Sequence, residues 1–139
     1  MTTTVRSAAV QLRGSTGPIW ARVYWPPAGG PKPPLLIFFP GPGDPDAECR
    51  QLCRRGGLVI LAGPISTQHD EAVADAKAIV GWAADHAVEL DADPARLLIT
   101  GTGDGTALAA AVTRIAADEG WPELVLMPDL ITTLEGTNR

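Results

Sequence analysis

The pattern of apolar and polar residues divides the chain into an opening hairpin followed by alternating strands and helices. Within Ile19–Trp25, the residues Ile19, Ala21 and Val23 alternate with Trp20, Arg22 and Tyr24. This alternation predicts a half-exposed strand paired with Ser7–Leu12 across the turn at residues 13–17. A Pro/Gly loop, Pro26–Pro34, follows the hairpin. Short apolar runs then predict four further strands: Leu35–Phe39, Leu58–Ala62, Leu97–Thr100 and Leu124–Met127.

Helical segments separate these strands. The first is predicted over Asp44–Arg55, with Pro45 in its first turn and the pair Gly56-Gly57 as its stop. Ser66 or Thr67 can cap the second helix, and the third is predicted over Thr106–Glu119. This alternation predicts an α/β fold: a three-layer, doubly wound, mostly parallel sheet of about six strands with an N-terminal antiparallel hairpin.

A glycine-rich turn joins the fifth predicted strand to the third helix. Gly101, Gly103 and Gly105 alternate with polar residues before an Ala-rich segment. The dinucleotide-binding motif needs glycine where Thr106 stands, and the phosphate-binding P-loop needs a lysine that is not there. The nucleophile elbow, G-x-S-x-G, matches in spacing, with Gly103 at the position of the nucleophile.

The residues before this turn resemble a known family. The run ELDADPARLLITG, Glu89–Gly101, is similar to the segment E-L-G-A-D-P-A-R-I-x-x-x-G that precedes the elbow in esterases and lipases of the hormone-sensitive-lipase type. These enzymes are α/β-hydrolases, so the resemblance implies the front half of that fold. Counted without a gap from Arg96, their serine falls on Gly103. Pro40–Gly43 stands where the family carries its His-Gly-Gly-Gly oxyanion loop.

The resemblance also implies that the family's catalytic groups are missing. The elbow is degenerate over Gly101, Thr102, Gly103, Asp104 and Gly105, and the oxyanion loop over Pro40, Gly41, Pro42 and Gly43. Proline has no backbone N–H to donate to an oxyanion, and glycine has no nucleophile. The family's acid and histidine follow strands that we expect this single domain, residues 1–139, to lack, together with the cap. His69 and His86 precede the elbow, on the wrong element.

Three hypotheses on function follow. The first is a catalytically inactive hydrolase-like protein, a pseudoenzyme, that acts as a binding or interaction module. The second is a carboxylic-ester hydrolase whose missing groups are non-standard or come from another chain. The third is a small-molecule binder that uses the remnant cleft over Gly103 and Pro42. Fold alone does not decide among them.

Several other polar residues have a simpler structural interpretation. An Asp104 nucleophile would shift the motif by one residue, so we place Asp104 at the helix N-terminus, where its charge is favourable. The pairs Asp44/Asp46 and Asp91/Asp93 are expected as capping and turn residues rather than Ca²⁺ or Mg²⁺ ligands. Cys49 and Cys53 are predicted to be buried on one helix face. No metal and no cofactor is predicted.

Net charge and hydropathy limit the kinds of partner that we expect the chain to bind. The formal net charge is −5, which argues against nucleic-acid binding, and the densest basic cluster, Arg50, Arg54 and Arg55, is predicted to be a solvated helix face. No signal peptide and no membrane-spanning run is evident, so we expect a cytoplasmic protein. A sixth strand at the sheet edge predicts a homodimer through that strand and adjacent helices, unless Ile131–Arg139 folds back over it.

Overall fold

The computed structural model describes residues 4–15, 17–27, 31–41, 44–64, 69–121 and 123–127. Three of the predictions fall outside these ranges: the helix cap at Ser66 or Thr67, the loop residues Pro42 and Gly43, and the tail Ile131–Arg139. The structure therefore bears on the elbow and on the first two residues of the predicted oxyanion loop.

The described residues form six strands and three helices in the predicted order. Their bounds are β1 Arg6–Arg13, β2 Pro18–Trp25, β3 Pro34–Phe39, α1 Asp46–Gly56, β4 Val59–Ala62, α2 His69–His86, β5 Asp93–Gly101, α3 Asp104–Glu119 and β6 Leu124–Leu126. The hairpin comes first, and strands and helices alternate after it, as the hydrophobic pattern predicted.

All six strands lie in one sheet, in the order β1-β2-β4-β3-β5-β6. β1 pairs antiparallel with β2, and β2 pairs antiparallel with β4. The pairs β3–β4, β3–β5 and β5–β6 are parallel. β3 therefore lies between two parallel neighbours, which explains why every residue from Leu35 to Phe39 is buried. The predicted mixed sheet with an antiparallel hairpin is confirmed.

Helices cover both faces of the sheet and give the three predicted layers. On one face, α2 and α3 pack on the sheet through residues such as Ile79 and Val112, which belong to the same buried cluster as Ile37 of β3. On the other face, α1 packs through Leu52 against a second cluster that includes Phe38. Ile37 and Phe38 are adjacent in the chain and point to opposite faces, as in any strand. The central strand thus contributes to both cores.

The observed ends of two helices differ from the predicted ones. α3 begins at Asp104 rather than Thr106, because the chain becomes helical directly after the turn residue Gly103. α1 begins at Asp46, and Pro45, predicted inside its first turn, is the residue before it. The Asp44 carboxylate accepts the N–H of Asp46 at 3.0 Å, so Asp44 binds the helix start from outside the helix.

Both cysteines lie on the buried face of α1, as predicted, and both are free thiols. The Cys53 thiol donates to the carbonyl oxygen of Leu58 at 3.0 Å. Burial raises the pKa of Cys49 to about 12, with further contributions from neighbouring carboxylates, and burial likewise raises the pKa of Cys53 to about 12. These thiols therefore remain protonated at neutral pH and serve as core residues.

The prediction that the basic cluster of α1 is only a solvated face is wrong for Arg50. Its Nε donates to Asp46 at 3.0 Å, and its Nη atoms donate to the Val5 carbonyl at 3.1 Å and the Ser7 hydroxyl at 3.2 Å. The Tyr24 hydroxyl donates to the same Asp46 carboxylate at 3.0 Å. We call Ser7, Tyr24, Asp46 and Arg50 the hairpin–helix cluster, since it ties α1 to β1 and β2.

Candidate active site

The turn between β5 and α3 requires glycine at its first position. A Cβ on Gly101 would clash with the carbonyl oxygen of Gly105 and would lie 2.8 Å from the nitrogen of Thr106. The last residue of the strand therefore lies directly against the backbone of the helix that follows it. Gly101 and Gly105 are both buried, whereas Gly103 between them is exposed. The predicted elbow spacing thus reflects a close approach of two backbone segments.

Gly103 lies at the tip of this turn in a conformation that other residues rarely adopt. Its φ is 56° and its ψ is −129°, and this confirms the positive φ predicted for the elbow position. Backbone hydrogen bonds fix the turn: Gly105 N–H donates to the Thr102 carbonyl at 2.9 Å, and Thr106 N–H donates to the Gly103 carbonyl at 3.2 Å. The chain thus reverses sharply above the carboxyl end of β5.

The predicted oxyanion loop contacts this turn. β3 and β5 are parallel neighbours with Phe39 opposite Gly101, so the residues that follow them meet at the same edge of the sheet. The N–H of Gly41 donates to the Thr102 hydroxyl at 2.9 Å. A Cβ on Gly41 would lie 3.1 Å from the Thr102 carbonyl oxygen and 3.4 Å from the Cα of Gly103. The structure therefore brings these two predicted parts together.

The two threonines of the turn have roles that sequence reasoning missed. The Thr102 hydroxyl accepts from the loop, and the Thr106 hydroxyl donates to the Gly101 carbonyl at 3.1 Å. Thr102 also donates its N–H to the Phe39 carbonyl at 3.1 Å, which binds the turn to β3. These roles could have been predicted from the position of the two threonines directly beside glycines of the elbow, where a short hydroxyl side chain can reach backbone groups.

Asp104 takes the structural role predicted for it. It is the first residue of α3, it is exposed, and it is the acidic residue of the first helical turn. A carboxylate at this position interacts favourably with the positive end of the helix dipole. The residue at the tip of the turn is Gly103, which has no side chain, so the position to which the resemblance assigns the serine offers no nucleophile.

His86 lies at the other end of the sheet from this turn. It ends α2, which leads into the start of β5, whereas Gly103 follows the end of β5. The His86 ring stacks on Trp82 with centroids 4.3 Å apart, and its Nδ1 lies 2.8 Å from the Trp82 carbonyl oxygen. These contacts give His86 a packing role at the surface of α2. The side chain of His69 lies outside the described part of the structure.

One aspartate of each pair makes the predicted capping or turn hydrogen bond. The Asp93 carboxylate accepts the N–H of Ala95 at 2.9 Å, in the same way that Asp44 binds the start of α1. Asp91 has a positive φ of 60° and lies 3.8 Å from the Lys32 ammonium. Within the described ranges, no group of three or more His, Cys, Asp or Glu side chains is arranged to hold a metal ion.

Among the described residues, no helix has both the length and the apolar composition needed to cross a membrane. The longest, α2, has 18 residues and carries several charged side chains. The predicted cytoplasmic location stays a prediction.

Comparison with known proteins supports the resemblance seen in the sequence. No family model matches the chain. Among curated proteins, the chain is 28% identical to the esterase LipI of Mycobacterium tuberculosis over 134 residues, covering 87% of the chain and 42% of that esterase. It is 36% identical to the carboxylic ester hydrolase LipN of the same organism over 133 residues, covering 84% of the chain and 35% of that protein. The chain therefore spans less than half the length of these relatives.

Solved structures give the same result. The chain superposes on a hyperthermophilic esterase from the archaeon Pyrobaculum calidifontis with a TM-score of 0.77 and 29% identity, covering 84% of the chain and 41% of the esterase. It superposes on EstE1, a thermostable carboxylesterase cloned from a metagenomic library, with a TM-score of 0.79 and 29% identity, covering 91% of the chain and 48% of EstE1. With the sheet order and the glycine turn, these matches show that the chain is an α/β-hydrolase related to esterases and lipases of the hormone-sensitive-lipase type.

Proposed function

We propose that this esterase-like α/β-hydrolase chain is catalytically inactive and acts as a binding module for a small molecule or a protein. One observation carries the proposal: Gly103 occupies the tip of the turn, with φ 56° and ψ −129°, at the position where the resemblance places the serine nucleophile. The backbone keeps the shape of an elbow, and the atom that would attack an ester is missing. Covalent acyl transfer needs such a nucleophile together with a base.

The loop beside the turn supports the same proposal. Esterases stabilise the developing oxyanion with backbone N–H groups aimed at the position it will occupy. Here the Gly41 N–H already donates to the Thr102 hydroxyl at 2.9 Å. A substrate oxygen would have to displace this internal acceptor before it could use that N–H group. His86, moreover, lies at the opposite end of the sheet and cannot serve as a base here.

The alternative is a carboxylic-ester hydrolase with catalytic groups that are non-standard or come from another chain. LipI is an esterase and LipN is a carboxylic ester hydrolase, and both are similar to more than four-fifths of this chain. The preserved turn at Gly103 would suit either function. The two proposals differ in whether ester hydrolysis belongs to this chain.

Hydrolysis of short-chain p-nitrophenyl esters separates the two proposals. We expect the purified protein to hydrolyse these esters no faster than a heat-treated control. The variant Gly103→Ser should also remain at that background, because the turn lacks a neighbouring histidine among the described residues. Gly103→Ala is the matched control, since it adds a Cβ to the tip without a hydroxyl.

Two results would overturn the proposal of inactivity. Activity that copurifies with the protein and survives Gly103→Ala would place the nucleophile elsewhere in the chain. Activity that appears only in Gly103→Ser would show that the remaining catalytic groups are present and functional.

We also propose that the partner is a second copy of the chain, bound through β6 and adjacent helices. β6 is the last strand of the sheet that the structure describes, and Val125 on it is 43% exposed. An exposed strand edge offers unpaired N–H and C=O groups to another strand. Light scattering after size-exclusion chromatography at low micromolar concentration should give twice 14.5 kDa for the protein.

Charge substitutions provide the control for this dimer. Val125→Lys should produce a monomer, because a charge on an edge strand discourages pairing. Val88→Lys alters a valine that is 59% exposed and lies outside the sheet, and it should leave the dimer intact. A 14.5 kDa species from the unmodified protein would contradict the proposal.

A further inference from the structure

A cavity of about 330 Å³ opens at the end of the sheet opposite the glycine turn. Its lining comes from the end of β2 at Trp25, from the residue before β3 at Pro33, and from the approach to β5 at Asp91. A volume of this size falls within the range of small-molecule sites. The hydrolase resemblance assigns no role to this end of the sheet, and no role was predicted for Pro26, Pro27 or residues 31–33, which form part of the cavity.

One part of the lining of this cavity is apolar and rigid. Trp25 is half-buried, and its indole N–H donates to the Leu90 carbonyl oxygen at 2.8 Å, which fixes the orientation of the ring. Pro26, Pro27 and Pro33 are also half-buried and belong to the apolar part of the lining. Proline rings and a hydrogen-bonded indole lose little conformational freedom when a ligand packs on them. The cavity is therefore preorganised for a flat apolar group.

The charged groups of the lining are two cations and one anion. The Arg6 guanidinium lies 5.7 Å from the centroid of the Trp25 ring. The Lys32 ammonium lies 3.8 Å from the Asp91 carboxylate, with the two side chains 56% and 79% exposed. An ion pair so exposed is weak, so Lys32 can exchange Asp91 for a ligand carboxylate at little cost. The local excess of positive charge stands out in a chain whose net charge is −5.

We propose that this cavity binds small aromatic carboxylates. The ring of the ligand packs against Trp25 and the prolines, and its carboxylate faces Arg6 and Lys32. Arginine suits this role because its planar guanidinium can bind a carboxylate through two parallel hydrogen bonds. Binding is reversible and involves no covalent step. The proposal holds whether or not the glycine turn is catalytic, since the two sites lie at opposite ends of the sheet.

Nuclear magnetic resonance of the full chain tests the proposal, with phenylacetate as the probe. The indole N–H signal of Trp25 reports on the cavity and is identified among the signals of the four tryptophans as the one lost in Trp25→Phe. Phenylacetate should shift this signal saturably. Phenylacetamide lacks the charge and acetate lacks the ring, and each should bind at least about tenfold more weakly.

Exposed charge variants connect the binding to the named residues. Arg6→Gln and Lys32→Gln should each weaken phenylacetate binding by about fivefold to tenfold. Arg54→Gln is the matched control, because Arg54 is an exposed cation on α1 outside the cavity lining, and it should leave binding unchanged. Three results would overturn the proposal: no saturable shift, equal binding of phenylacetamide, or an equal loss of binding in Arg54→Gln.

Discussion

The glycine turn and the hairpin–helix cluster are built in opposite ways. In the turn, backbone meets backbone: the strand and helix approach so closely that Gly101 has no room for a Cβ. In the cluster, side chains from β1, β2 and α1 meet and hold α1 on the hairpin through Arg50 and Asp46. The turn has the appearance of an active site and offers no reactive group at its tip. The cluster is rich in polar groups, and its hydrogen bonds join α1 to β1 and β2.

This contrast shows that a concentration of polar side chains can serve packing in this chain. The arginines of α1 form the densest basic cluster, yet Arg50 binds Asp46, Ser7 and a backbone carbonyl of the same domain. One feature that the chain shares with the esterase elbow is the spacing of small residues, which sets the path of the backbone. The predictions below therefore compare two kinds of substitution: glycine to alanine in the turn, and removal of a charged side chain from the cluster.

The largest effect is expected for Gly101→Ala. Its Cβ would clash with the backbone of Gly105, and backbone cannot move aside without displacing the start of α3. We expect the free energy of unfolding to fall by more than about 3 kcal/mol. Gly81→Ala is the matched control, because its Cβ would meet no atom within 4 Å inside α2, and it should stabilise the protein by about 0.5–1 kcal/mol. Urea denaturation measures the free energy of unfolding of both variants. Similar values for the two would contradict the close approach of Gly101 to the backbone of Gly105.

A smaller loss is expected for Gly103→Ala. The φ of 56° and ψ of −129° place this residue outside the regions that side chains tolerate, so the substitution should cost about 1–3 kcal/mol. Gly57→Ala is the control that separates the effect of ψ on stability from that of φ. Gly57 has a similar φ of 62°, but its ψ of 40° lies in the left-handed helical region. That control should cost about 1 kcal/mol. Thermal unfolding, monitored by circular dichroism, measures the stability of both variants. A Gly103→Ala variant as stable as the unmodified protein would contradict the strained turn.

In the cluster, Arg50→Ala should cost about 1–2 kcal/mol. The substitution removes hydrogen bonds to Asp46, Ser7 and the Val5 carbonyl. Asp46 and Ser7 are partly exposed and can bind water instead, whereas Val5 is buried. Arg54→Ala lies one turn further along α1, is exposed, and should change the free energy of unfolding by less than about 0.5 kcal/mol. Equal effects of the two substitutions in urea denaturation would show that Arg50 behaves as a solvated surface residue.

The smallest effect is a dependence of stability on pH. The hydrogen bond from Arg50, with help from Tyr24, holds the pKa of Asp46 below its ordinary value of 3.8. Because the folded pKa is the lower one, the contribution of Asp46 is complete above pH 3.8 and is lost as the pH falls through the folded pKa.

The Asp46 side chain is 42% exposed, so the contribution should be only a few tenths of a kcal/mol to about 1 kcal/mol. The stability difference between the protein and Asp46→Asn should therefore shrink as the pH is lowered from about 5 to about 3. A difference that stays constant over this range would show that the charge of Asp46 contributes nothing.

Much of the fold and of the turn could be predicted from local sequence. The apolar run Leu35–Phe39 is a buried strand, and the glycine spacing after β5 gives Gly103 its positive φ. Tyr24 shows where local pattern is insufficient. Its alternation with Val23 predicts the exposed face of a hairpin, yet it is buried because α1 covers that face. A hydrophobic pattern shows which face of a strand is apolar, and only packing shows whether the other face is covered.

The sequence by itself determined the elements, their order and the sharp turn at Gly103, because these depend on residues close together in the chain. Tertiary structure decided what required distant segments to meet. It placed β3 between β4 and β5, and thereby brought Gly41 to the hydroxyl of Thr102, 61 residues away. It also gave Arg50 its partners on the hairpin. Such contacts depend on the register and neighbours of the strands, which no local spacing of residues specifies.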